Sequence, residues 1–356
     1  MKKKIKLVIS DLHLGNGRHL PDGTINPLED FLNDEKFIEF VLHHHAYPEE
    51  TQIELILNGD FFNMIQLLRE EQDDGILTER AAVKKTKAII QGHRDMFDAL
   101  RQFNSRPHRR VVFVLGNHDP GLLWPKVQET IREAVEGEVI FVDDFYRFDG
   151  VHIEHGHQLE QIFQFDSCRY FLTRGYPEPV LNLPWGVFFV KDFLYEMKRR
   201  RPFADKVKPY HLYWRWSIYN DFWFAILSMF RYFRFVMQSL LSDLPLKRQG
   251  ALRGFSAMME LGKSTTMEED ARKIMERENC RIVILGHTHI PIHRNLGNER
   301  EYLNPGCWNH ITSLDLAHLG YTRRLIYVQI DYAENKPTAR LMEWHGQHRV
   351  FEELRV

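Results

Sequence analysis

The chain has 356 residues, of which 44% are hydrophobic and 27% charged, and its formal net charge is −2. That balance is ordinary for a globular protein, and the length suits one large domain or one domain carrying an insertion. The near-zero charge sets up no overall basic field for nucleic acid, and three widely spaced cysteines (Cys168, Cys280, Cys307) offer no CxxC pair or disulfide framework.

The chain opens on Met1-Lys2-Lys3-Lys4, followed by the short apolar run Ile5 to Ile9. That run is too short for the apolar core of a leader and reads as a buried strand. From Asp34 to His45, Phe37, Ile38, Phe40 and Val41 fall on one helical face, and the closing His43-His44-His45 reads as a solvated last turn. Ile53 to Leu57 is a second strand, ending at Asn58-Gly59-Asp60. Thr78 is placed to cap one long helix in which Val83, Ile89, Ile90, Phe97 and Leu100 keep helical spacing. A third strand, Val111 to Leu115, runs into Gly116-Asn117-His118-Asp119, and further strands are expected at 139–142, 145–148 and 151–154.

A different texture begins at Leu159. From 159 to 275 the residues keep a helical period, are rich in Phe, Tyr and Trp, and are studded with Lys and Arg. Strands then resume: Arg281 to Leu285 leads into Gly286-His287-Thr288-His289, with others expected at 325–330 and 339–344. Asn304-Pro305-Gly306-Cys307 reads as a tight turn. The expected organisation is a catalytic α/β core at 1–158 and 276–356, interrupted by an aromatic-rich helical cap at 159–275. Its longest apolar stretch, Phe222 to Phe230, falls short of the roughly 18 residues of a membrane span. The expected location is therefore cytoplasmic, with peripheral membrane contact through the cap.

Strand ends in α/β folds carry functional loops, and here they carry metal-competent side chains. Asp11 and His13 are two apart after the first strand, and Asp60 follows the second. Asn117 follows the third, His155 the 151–154 strand, and His287 and His289 the late one. Each alone is compatible with an ordinary turn or a packed histidine. Seven N/O ligand candidates in one polarity are not readily a coincidence, and imidazole with carboxylate suits Mn, Fe, Zn or Co rather than a thiolate site.

This series resembles the calcineurin-like metallophosphoesterase superfamily over the span from Lys4 to about Asp331, the insertion excepted. The resemblance implies a four-layer αββα sandwich of two mixed sheets with a helical insertion. It implies two divalent ions, manganese first: one held by Asp11, His13, Asp60 and His289, the other by Asp60, Asn117, His155 and His287. It further implies a metal-bridging hydroxide that attacks phosphorus, His118 as general acid, and Asp119 orienting His118. Asn63, Arg18 and His157 are candidates for substrate contact; His293 and His310 read as structural.

The substrate is narrowed by departures from family patterns. Gly-Asp-Phe-Phe-Asn-Met and Gly-Asn-His-Asp differ from the phosphoprotein phosphatases. The aromatic-basic insertion is similar to the cap of UDP-2,3-diacylglucosamine hydrolases, although those carry Arg and Asp where His118 and His157 stand. The expectation is a phosphodiester or pyrophosphate substrate with an amphipathic or nucleotide-sugar character. A nuclease or cyclic-nucleotide phosphodiesterase is the alternative enzyme, with nucleic acid the less favoured partner. A membrane-surface or partner-binding scaffold is the alternative of another class.

Overall fold

The computed structural model describes residues 3–20, 22–26, 28–67, 77–201, 204, 206–208, 210–251, 267–313, 320–322, 324–334, 336–346 and 352–353. The first apolar runs form parallel strands β1 (Lys4–Ile9), β2 (Gln52–Asn58), β3 (Arg109–Val114) and β4 (Val139–Val142). They lie side by side in a seven-stranded sheet, with Ile326–Ala333 antiparallel to the free side of β1 and Lys336–Glu343 and Glu352–Glu353 beyond it. β5 (Phe145–Phe148) and β6 (Val151–Glu154) belong to a five-stranded sheet with Ile282–Ile284, Glu301–Pro305 and Pro291–Asn295.

Alternation along the strands sorts the side chains into layers. Val8, Ile56, Val112 and Val114 meet Val151, Ile153, Ile284 and Leu303 between the two sheets. Ile5, Leu7, Ile9, Leu55 and Phe113 face the other way, against Phe37, Phe40, Phe97 and Leu100 of the flanking helices. Outside the second sheet, Ala271, Ile274 and Met275 of the helix Glu268–Glu278 cover Val283 and Tyr302. The result is the expected four-layer αββα sandwich of two mixed sheets.

Three local readings change. The long helix capped by Thr78, whose hydroxyl accepts from Ala81 N at 3.3 Å, is two helices, Glu79–Gly92 and Arg94–Asn104. The break is at His93 (φ −122°, ψ 35°), whose ring is held by the carboxylates of Asp34 and Glu29. Gly92 permits that break to sit against the loop after β1: a Cβ there would lie 2.2 Å from the Asn16 carbonyl oxygen. His44 is buried rather than solvated; its Nδ1 lies 2.8 Å from the Phe40 carbonyl, its ring stacks on Tyr47, and burial lowers its pKa to about 3. The Asn304–Cys307 turn is displaced, because Asn304 and Pro305 end a strand and the chain bends from Gly306 (φ 68°) through Trp308 and Asn309.

The insertion between β6 and Ile282–Ile284 is mainly helical, as expected. It contains Trp185–Phe188, a π-helical turn Phe189–Leu194, Tyr195–Arg200, Tyr210–Asn220 and Phe222–Leu240. It also holds small β pairs, Phe171–Leu172 with Val180–Leu181, and Val207–Lys208 beside Ile311–Ser313. Among the described residues no helix is long and apolar enough to cross a membrane.

Candidate metal centre

The C-terminal ends of β1, β2 and β3 from one sheet, and of β6 and Ile282–Ile284 from the other, open onto the same edge of the sandwich. Parallel pairing continues past the strands: Asp11 N donates to Gly59 O (3.2 Å) and His13 N to Asp60 O (2.8 Å). On the other side Gly286 N donates to His155 O at 2.7 Å. Two glycines allow the close approach. A Cβ on Gly59 (φ 76°) would lie 2.4 Å from the His155 ring, and one on Gly116 would lie 2.2 Å from Asp60 Oδ1.

Five side chains at this edge sit on left-handed backbone: Asp11 (φ 57°), His13 (56°), Asp60 (50°), His287 (66°) and His289 (63°). That region is uncommon for residues other than glycine and stores strain. All five are residues the motifs nominate as ligands. Their concentration at one point is the mark of a site whose geometry overrides local preference.

Among the described residues three overlapping groups have their ligand atoms within 4.8 Å of one another: Asp11 with His13 and His289, His13 with Asp60 and His118, and Asp60 with His155 and His287. His289 Nε2 is 3.2 Å from Asp11 Oδ1 and 3.1 Å from His13 Nε2. Asp60 Oδ2 is 3.3 Å from His155 Nε2 and 3.7 Å from His13 Nε2. Separations near 3 Å between acceptor-bearing atoms are those expected of ligands about 2 Å from a common cation.

The donor set fits divalent ions. Asp11 Oδ1, Asn117 Oδ1 and His155 Nε2 are buried yet make no hydrogen bond of acceptable geometry. Such atoms are costly unless something binds them. Their remaining atoms are fixed from behind. Asp11 Oδ2 accepts from His287 N (3.0 Å) and from the Ser10 hydroxyl, which leaves Oδ1 facing the centre. His155 Nδ1 lies 2.9 Å from the Asn58 carbonyl, so the ring presents Nε2 inward.

A family model for the calcineurin-like phosphoesterases matches residues 6–291. The chain belongs to that family. No curated protein matches it. Solved structures with a similar outline include wild-type Vps29 complexed with Zn²⁺ from Entamoeba histolytica (11% identity, TM-score 0.35, covering 99% of this chain and 98% of that one). A predicted phosphoesterase from Streptococcus pneumoniae shares 12% identity at a TM-score of 0.31, with 99% and 98% covered. A 5'-nucleotidase from Candida albicans shares 13% at 0.31, with 94% and 52% covered. These likenesses are distant, and membership rests on the family model.

Electrostatics at the calcineurin-like centre follow from burial and neighbours. Burial opposes charge on Asp11 and Asp60, but the adjacent imidazoles, His155 foremost, outweigh it and hold both carboxyls well below the usual range. Burial likewise opposes a charged His155, yet Asp60 and Asp11 raise it to about 10. His118 behaves differently: burial dominates and lowers it to about 3. Burial, then the Asp60 charge, pushes Asp119 up to about 7.

The Asp119 carboxylate engages backbone and not the His118 ring. Its Oδ1 accepts from Gly116 N at 2.6 Å and its Oδ2 from Phe61 N at 3.1 Å, so it fixes the loop backbone. The group facing His118 Nδ1, at 3.1 Å, is Asn63 Oδ1.

A pocket opens over this centre, walled by His13, Asn63, His118 and His289 and by Val190, Leu194, Tyr195 and Lys206 of the insertion. Asp30, Asn309, His310 and Ile311 complete it. Of the substrate-contact candidates, Asn63 lines the pocket. Arg18 is exposed on the loop after β1, and His157 is buried beside His155 and Phe165; neither is among the lining residues. His293 lies in the strand Pro291–Asn295, 3.8 Å from Glu301. Sequence reasoning did not find Asp30 or Tyr195, placed Lys206 only among the basic residues of the insertion, and read His310 as structural. The only signal for the insertion residues was its mixture of aromatic and basic side chains.

Proposed function

We propose that this calcineurin-like chain is a dinuclear-metal phosphoester hydrolase, with Asp11, His13, Asp60 and His289 holding one ion and Asp60, Asn117, His155 and His287 the other. The observation that carries this reading is the overlap of three ligand groups, two of them sharing Asp60. Bound there, two divalent cations, manganese by preference, supply charge neutralisation for phosphoryl oxygens and an acidified water.

The chain's own residues do the rest. His118 N donates to Asp60 Oδ1 at 2.7 Å and fixes the shared carboxylate. The His118 ring, edge-on to His13 at 4.5 Å between centroids, stands at the pocket wall, where it delivers a proton to the leaving oxygen. Lys206, paired with Asp30, adds a cation to the pocket wall, and Val190, Leu194 and Ile311 offer an apolar part of it. Together they suit a diester or pyrophosphate with an apolar portion, of the UDP-diacylglucosamine kind. The direct test is hydrolysis of bis-p-nitrophenyl phosphate with metal content measured in parallel. Manganese-stimulated turnover is expected; bound metal without turnover under any divalent ion would overturn the reading.

A second feature supports contact with a membrane surface from the cytoplasmic side. On the helix Phe222–Leu240, Phe222, Trp223, Met229, Phe230 and Phe233 are each more than half exposed. Between Tyr195 and Ala251 eleven Lys or Arg stand against four Asp or Glu. Aromatic side chains at headgroup level, with cations beside them, match an anionic bilayer. Co-sedimentation with phosphatidylglycerol-containing vesicles is expected, weakening with salt. No pelleting at low ionic strength would remove this reading and leave the hydrolase untouched.

A further inference from the structure

Among the elements by which the insertion meets the core is one short helix, Tyr195–Arg200, which directly follows the π-helical turn Phe189–Leu194. π-Turns recur where a helix must re-aim side chains at a site. This helix is fastened at two points. Lys198 Nζ lies 2.6 Å from Asp30 Oδ1, both groups buried, and Lys206 Nζ reaches the same oxygen at 3.2 Å. One turn earlier, the Tyr195 hydroxyl donates to Asn63 Oδ1 at 2.9 Å. That oxygen is the one 3.1 Å from His118 Nδ1. Tyr195 and Asn63 are 5% and 1% exposed, so water does not readily replace either contact.

We propose that Tyr195 is a positioning residue for His118, acting through Asn63. The inference rests on the reading of His118 as the proton donor.

An asparagine amide has an accepting and a donating end, and its orientation decides what it offers a neighbour. A phenol is a better donor than acceptor, so Tyr195 favours the orientation that turns Oδ1 toward it. The second lone pair of the same oxygen then accepts from His118 Nδ1–H. With its proton on Nδ1, the neutral imidazole is held in one tautomer and one rotation about its Cβ–Cγ bond. Nε2, whose lone pair is then free, takes a proton from solvent to give the imidazolium, passes that proton to the leaving oxygen as the ester bond breaks, and returns to the neutral Nδ1–H form. Turned the other way, Asn63 would present N–H to Nδ1 and move the ring proton to Nε2. Tyr195 and Asn63 are 132 residues apart, so the insertion and the core must dock before His118 is set.

The experiment compares wild type, Tyr195→Phe and the double variant Tyr195→Phe, Asn63→Asp. Long-range ¹H–¹⁵N spectra of the metal-free proteins report histidine tautomers, with His118 identified by the signals lost in His118→Gln. Wild type is expected to carry His118 as the Nδ1–H form and Tyr195→Phe as a mixture. The double variant should restore Nδ1–H, because a carboxylate accepts through either oxygen. In turnover, Tyr195→Phe is expected to lower kcat about tenfold on diphenyl phosphate and less on bis-p-nitrophenyl phosphate, whose leaving group needs little protonation, with KM unchanged. An unchanged tautomer in Tyr195→Phe, or equal losses on both esters, would overturn the proposal. Hydrolysis of neither ester by wild type would instead overturn the phosphoesterase reading, and the tautomer would still decide the positioning role.

Discussion

The helices Arg94–Asn104 and Phe222–Leu240 are both amphipathic, yet they turn their apolar faces in opposite directions. The first, in the core, buries Met96, Phe97, Leu100 and Phe103 beneath the seven-stranded sheet. The second, in the insertion, buries Phe224, Tyr232 and Phe235 on one side and leaves Trp223, Phe230 and Phe233 at 80%, 65% and 62% exposure on the other. Burying a large side chain contributes about 1.5–3 kcal/mol, so an exposed row of this size is favourable only if something covers it. The first helix is covered by the sheet; nothing among the described residues covers this row of the second.

That contrast fits the proposed division, with chemistry in the core and recognition in the insertion, and four measurements probe it. The largest effect is expected at the shared carboxylate: Asp60→Asn should lower turnover by roughly 10³-fold and reduce bound metal. Full activity in that variant would break the assignment of the core. His118→Ala should keep its metal and lose roughly 10²-fold in kcat; loss of metal instead would make His118 a ligand, as its place beside His13 and Asp60 allows.

The third measurement concerns how the core holds the loop that meets the insertion. His93 is buried, and although burial opposes its charge, Asp34 and Glu29 raise its pKa from 6.5 to about 9. Glu29 also accepts from Gly15 N (3.0 Å) and Gly17 N (2.7 Å), and the next residue is Asp30, the partner of Lys198. A raised pKa means that stability is fully present below about 6.5 and is lost as pH rises through about 9. Thermal melting should therefore fall by the equivalent of roughly 2–3 kcal/mol between pH 7 and 10, and the fall should be much smaller in His93→Gln. The same slope in both proteins would exclude His93 as its source. The smallest effect on folding is expected at the exposed face. Trp223→Glu with Phe230→Glu should change stability by no more than about 0.5 kcal/mol each and leave bis-p-nitrophenyl phosphate turnover intact, while abolishing vesicle co-sedimentation. A collapse of folding there would show that the face is packed rather than presented.

The two regions were unequally legible in the amino-acid order. Asp11, His13, Asp60, Asn117, His155, His287 and His289 stand beside apolar strands, and strand polarity alone brings them together. The strands Pro291–Asn295 and Glu301–Pro305 escaped notice because their pairing partners are set by the sheet and not by alternation. His44 read as solvated because its burial comes from Tyr47, Tyr327 and Trp344, two of them far away in the chain. Tyr195, Lys198 and Asp30 carry no local signature either, since each acquires its role from contacts more than 130 residues distant. The break at His93 depends on carboxylates from another loop.

The left-handed backbone at Asp11, His13, Asp60, His287 and His289 has a consequence for how such a protein can drift. Each holds a conformation that costs an ordinary residue about 1–2 kcal/mol and glycine almost nothing. Replacement by glycine at any of the five would relax the chain locally and remove a ligand in the same step. On the proposed metal-binding reading, the sturdier and inert version of this molecule is thus one substitution away at five separate places.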